Sequence, residues 1–142
     1  METLRAICEQ IIPGDEDPGA IDAGVPEFID RQLTGPYKRY QNNYRKGLVG
    51  IDETSRAMFN KSFAALSWDN QTAVLKALES GKAPGTTWQT EPARPFFELV
   101  RDHSLQGFYG SPRHGGNRNY ASYRMLKLDY PQIIGQNRYK KS

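Results

Sequence analysis

Apolar residues recur at helical spacing along the first hundred positions. Leu4, Ile7, Cys8 and Ile11 follow the i, i+3, i+4, i+7 pattern of one helix face, so residues 2–12 predict an amphipathic helix that Pro13-Gly14 stops. The stretch GDEDPGAIDAGVP is dominated by Gly, Pro and Asp and reads as a loop. PEFIDRQLT predicts a short helix, with Pro26 in its first turn, Glu27 and Asp30 early and Arg31 late, as the helix dipole favours. Tyr37, Tyr40 and Tyr44 follow at i, i+3 and i+7, a stripe read as half-buried packing. Asp52 is the candidate N-cap of a next helix, with Met58, Phe59 and Phe63 facing inward. Ser67 is the candidate cap of another, in which Trp68, Leu75 and Leu78 share a face and Gly81 ends the run. After the turn-rich KAPGTTWQTEPARP, the segment PFFELVRDHSL predicts the last helix, with Phe96, Phe97, Leu99 and Val100 apolar.

No run of alternating β-branched residues predicts a strand, and no internal repeat is visible. The fold expected is all-α, a small bundle of five or six short helices with an irregular, Gly-rich C-terminal third. One domain spans 1–142. Residues 1–105 are its helical core, and 106–142 are expected to wrap a partner.

The stretch HSLQGFYGSPRHGGNRNY, residues 103–120, departs from this periodicity. It holds four glycines, a proline, three aromatics, two histidines and two arginines. Ordering four glycines costs conformational entropy, so such a segment stays ordered only if backbone and side chains find partners. Few apolar residues within it are available to anchor it, and the expectation is that a second polypeptide holds it.

Composition narrows the function. A chain of 142 residues, 37% of them apolar, buries a modest core, and an aromatic content of 11% is too high for a disordered chain. Net charge is +3, but unevenly placed: residues 1–100 carry 11 Lys/Arg against 14 Asp/Glu, and residues 101–142 carry 8 against 2. A basic tail points to an acidic partner face. Cys8 is the only cysteine, which excludes an internal disulfide and a cysteine-based metal cluster. Residues 1–12 are too short and too charged for a signal peptide or a membrane span, so no direct membrane insertion is expected.

Catalytic patterns are thin. His103 and His114 are the only histidines, no serine stands in a nucleophile elbow, and no carboxylate pair is marked out for acid–base work. Asp15, Asp17 and Gly19 begin a calcium-loop pattern. Ala20 and Pro26 stand where that loop needs Gly and Glu, so the segment reads as an acidic turn. The glycines from Gly110 to Gly116 lack the lysine and hydroxyl of a nucleotide loop. Arg113, Arg118 and Arg124 interleave with Tyr109, Tyr120 and Tyr123, which gives a second reading as an independent module for nucleic acid or an acidic ligand. The basic residues form no dense run, and nucleic acid is not the expected partner.

GFYGSPRHGGNRN resembles the signature GxYGxPxxGGN of the gluconate 2-dehydrogenase subunit 3 family. IIPGDEDPGAIDAGVPEFIDRQL, FNKSFAALSWDNQTAVLKALESG and FFELVRDHSLQGFYG are similar to the family's other segments, in the same order. Ser111 departs from the acidic residue usual after Tyr-Gly, Ser122-Tyr123 from Gly-Trp, and KLDYPQ from a Gly-Phe/Tyr-Pro-Gly turn, as in a divergent branch. The resemblance implies a non-catalytic small subunit of a flavin-dependent sugar, glycoside or polyol dehydrogenase. The large subunit of such a complex is of the glucose-methanol-choline type and carries the FAD and the catalytic base. No cofactor is expected on this chain. In many such complexes a multihaem cytochrome c is the third component. The small subunit serves folding, stability or export of the large one. Its location is periplasmic where a twin-arginine leader is removed and cytoplasmic otherwise. The expected contact set is Tyr109, Arg113, His114, Gly115, Gly116, Asn117, Arg118, Tyr123 and Arg124, where arginines pair with carboxylates and aromatics bury a face.

Overall fold

The structure is a computed structural model that describes residues 1–122. Within them the fold is all-α, with five α-helices joined by loops and short 3-10 turns and, among the described residues, no strand. The helices are α1 (Glu2–Ile11), α2 (Val25–Gln32), α3 (Gln41–Phe59), α4 (Trp68–Glu79) and α5 (Ala93–Tyr109). Helix α5 packs against all four others. Its buried residues, Ala93, Phe96, Val100, His103, Ser104, Gly107 and Phe108, recur at three- and four-residue steps and form one continuous stripe. Phe96, Phe108 and Val100 are almost wholly buried, each contributing roughly 1.5–3 kcal/mol by area removed from water.

The remaining helices are placed by local chemistry. Helix α1 buries Leu4, Ile7 and Cys8, as its periodicity predicts. Helix α2 starts with Pro26 in its first turn and buries Val25, Phe28 and Ile29. The Ser67 hydroxyl accepts a hydrogen bond from the Asn70 N–H at 3.3 Å and caps α4. Gly81, at φ +75°, ends α4 with the Gly81 N–H on the Leu78 carbonyl and the Lys82 N–H on the Ala77 carbonyl.

Two expectations are corrected. Asp52 does not start a helix, because it lies inside the 19-residue α3. Its carboxylate instead accepts the Phe63 N–H at 2.9 Å and caps the turn at Phe63–Ala65. Helix α3 runs through Gly47 and Gly50, where a side chain at Gly47 would strike the Phe96 ring of α5 and one at Gly50 would lie 2.8 Å from Trp88. Of the residues expected to face inward, Phe63 is fully buried, but Met58 and Trp68 are 37% and 47% exposed. Trp68 is the first residue of α4 and leaves the buried face to Gln71, Val74, Leu75 and Leu78.

Helix α5 also extends past the expected end at 105, so the boundary between core and tail falls within it.

Candidate functional site

The signature segment lies where α5 ends. After Gly110 the chain makes a 3-10 turn at Pro112–His114, then folds back along α5. The last carbonyls of a helix have no partner within it. Here the Asn117 N–H donates to the Gly107 carbonyl at 2.6 Å, and the Asn117 side-chain amide donates to the Gly110 carbonyl at 2.9 Å. The Asn117 carbonyl oxygen accepts both the N–H and the hydroxyl of Ser122, each at 2.9 Å. One side chain thus caps a helix and closes a loop, and it is completely buried.

Gly116 makes this fold-back possible, since any side chain there would strike the backbone of Gly107. Gly107 has the same role on its other face, where a Cβ would lie 2.7 Å from the Phe28 ring. The Arg118 N–H then donates to the Ala23 carbonyl at 2.9 Å and ties the loop to the start of α2. Tyr120, Ala121 and Ser122 are buried. Backbone strain is concentrated here, with Asn117, Asn119 and Tyr120 all left-handed at φ 45°, 56° and 56°.

These contacts correct the view that residues 103–120 lack anchors. Phe108 supplies the apolar anchor, and backbone carbonyls of Gly107, Gly110 and Ala23 supply the polar ones. Of the expected contact set, Gly116 and Asn117 are turned into the chain's own interior. Tyr109 is 45% exposed, Arg113 is exposed, and the Arg118 side chain is 51% exposed. The Arg31 guanidinium of α2 lies directly over Gly115, which sits at φ +96°. Glu27 links α1 to the loop, 3.0 Å from Arg5 and 3.9 Å from Arg118. His114 belongs to the 3-10 turn, while Tyr123 and Arg124 lie outside the described residues.

His103 and the tyrosine stripe form one cluster that sequence spacing did not connect. The imidazole stacks on Tyr37 with centroids 3.9 Å apart and on Tyr44 at 5.8 Å, and it meets Tyr40 edge-on at 5.1 Å. Its Nδ1 shares a 2.9 Å hydrogen bond with the Tyr44 hydroxyl. Burial pushes the His103 pKa down to about 4, with Arg39 reinforcing the shift and Asp102 opposing it. Tyr44 is raised by the same burial. Cys8 sits 3.7 Å from the Ser104 hydroxyl, and burial pushes its thiol up to about 12. Among the described residues no group of three or more His, Cys, Asp or Glu side chains gathers to hold a metal.

Residues 1–129 match the family described as gluconate 2-dehydrogenase subunit 3. The chain belongs to that family. A family member of this kind is a small subunit of a dehydrogenase complex, so partner subunits are implied. No curated protein and no solved structure matches the chain. Among the described residues no helix is long and apolar enough to cross a membrane. The family signature coincides with the loop that caps α5. Its two adjacent glycines and Asn117 therefore have a structural reason to stand together, whatever the surface outside them contacts.

Proposed function

We propose that this chain is the non-catalytic small subunit of a flavin-dependent sugar, glycoside or polyol dehydrogenase. It binds an FAD-bearing large subunit of the glucose-methanol-choline type and keeps that subunit folded and soluble. The match to the family over residues 1–129 carries this reading. Two features of the site support a binding role over a chemical one. His103 is neutral and clamped between rings, and Cys8 is a buried thiol, so neither is presented for reaction. Tyr109, Arg113 and Arg118 instead offer an aromatic face and two cations on a loop that is already shaped. The same reading puts the complex in the periplasm when a leader carries the folded pair there, with a cytochrome c subunit taking the electrons.

The test is co-expression of the large subunit with and without this chain. Soluble, FAD-loaded large subunit is expected only with it. Equal yields of loaded large subunit in both cultures would refute the stabilising role. The purified chain alone is expected to reduce no dye with any sugar.

A further inference from the structure

We propose that the groove between the end of α2, the Pro36-Tyr37 turn and the last turn of α5 docks an extended segment of the large subunit. That segment carries an aromatic or aliphatic anchor side chain flanked by acidic residues. The proposal rests on the small-subunit reading above and adds where the partner binds and what chemistry it brings.

The groove has a volume of about 350 Å³ and is lined by Phe28, Gln32, Pro36, Tyr37, Gln106 and Gly110. This is at the low end of the roughly 300–1,000 Å³ of small-molecule sites, and it suits one large side chain with its own main chain. Phe28, Pro36 and Tyr37 make apolar walls. Gln32 and Gln106 make the polar walls, and the Gln106 side-chain NH2 is a donor suited to a peptide carbonyl. The key wall is fixed in advance. Tyr37 is stacked on His103, meets Phe28 edge-on at 6.0 Å, and donates its hydroxyl proton to Gln106 Oε1. Such a wall needs little ordering when a partner arrives. On the same last two turns of α5, Leu105 and Tyr109 are 39% and 45% exposed.

Charge selects the occupant. Near the lining residues in sequence stand the cations Arg31, Lys38, Arg39 and Arg113 against the acids Glu27 and Asp30, and Glu27 already lies 3.9 Å from Arg118. A flanking acidic residue on the incoming segment is favoured there, whereas a basic one is repelled. Another depression, about 260 Å³ between α1, α4 and α5, lacks this bias. It sets Glu79 among Lys76 and Arg101, and its Gln10 and Thr72 already hydrogen-bond each other.

The experiment measures affinity of the full chain for the large subunit, at low and high salt. Pro36 is exposed, so Pro36→Trp fills the groove from its rim and is expected to weaken binding about tenfold or more. Lys38→Glu is expected to weaken it about threefold at low salt, with the difference fading at high salt. Val49→Ser, on an exposed position of α3, serves as the control and leaves binding unchanged. Should Pro36→Trp fail to fold, Gln106→Trp fills the same groove from α5. Binding by a folded Pro36→Trp within about twofold of wild type overturns the groove and leaves the small-subunit reading standing. A Pro36→Trp change that instead dissolves a self-dimer, seen by sedimentation, identifies a second copy as occupant and also overturns it. Absence of any association in the wild type refutes the subunit reading itself.

Discussion

Asn117→Ala would strand two buried groups and one part-buried group at once. The Gly110 carbonyl loses its donor, and the N–H and hydroxyl of Ser122 lose their acceptor. Each such loss costs roughly 1–3 kcal/mol before relaxation, and Ala tolerates the left-handed φ of 45° less well than Asn. A net loss of about 3 kcal/mol is expected, read as a lower urea midpoint of the isolated chain at an unchanged slope. An unchanged midpoint would mean that Asn117 acts elsewhere than in this loop. His103 makes a pH-dependent contribution whose sign follows from its burial. The unfolded chain takes up the proton near pH 6.5, the native chain only near 4. Stability is therefore full above pH 6.5 and falls as the pH drops from 6.5 towards 4. Carboxylates add slopes of their own, so the measured quantity is the difference between wild type and His103→Phe. That difference is expected to change across this window and to be flat above it.

At the scale of elements, Gly47 sets two effects against each other. Alanine is favoured over glycine in a helix interior by about 1 kcal/mol. Its methyl group here enters the Phe96 ring, and overpacking of a core costs roughly 1–3 kcal/mol. The clash wins because α3 and α5 are both anchored along their lengths, so Gly47→Ala is expected to lower the thermal midpoint while Val49→Ala leaves it nearly unchanged. A raised midpoint for Gly47→Ala would show that α3 is free to move away from α5. The same helix shows the limit of what the sequence made legible. Helix starts and stops that depend on one residue were visible, such as the Ser67 cap and the Gly81 stop. The continuity of α3 was hidden, because an Asp ahead of an apolar stripe looks like an N-cap, whereas the Asp52 carboxylate serves the Phe63 N–H from inside the helix. The loop after α5 was hidden for a related reason. The residue types at Gly116, Asn117 and Arg118 were legible as special, but Asn117 and Arg118 bond the backbone carbonyls of Gly107, Gly110 and Ala23, which carry no side-chain signal. Apolar residues inside the segment are too few to hold it alone, and these backbone carbonyls supply the rest within the same chain.

For the whole molecule, the decisive contrast is between a loop that a partner shapes and a loop that meets a partner already shaped. Amide exchange of the isolated chain separates them. The Asn117 N–H is held by Gly107 in the last turn of α5, and the Arg118 N–H by Ala23 beside α2. Both bonds break only when the loop leaves two packed helices, so their protection is expected to approach that of the α5 interior amides. Assembly with the large subunit should then slow exchange at these two positions by little, since they are closed beforehand. A partner-shaped loop predicts the reverse, with fast exchange in the free chain and strong protection only in the complex. The energetic consequence follows directly. A preformed loop gives up little conformational freedom on docking, so contacts made by Tyr109, Arg113 and the groove pass into affinity with little ordering cost. Loosening the loop with Asn117→Ala is therefore expected to weaken the complex as well as the free fold, although Asn117 itself is buried. Exchange protection at Asn117 and Arg118 that appears only in the complex would refute this picture.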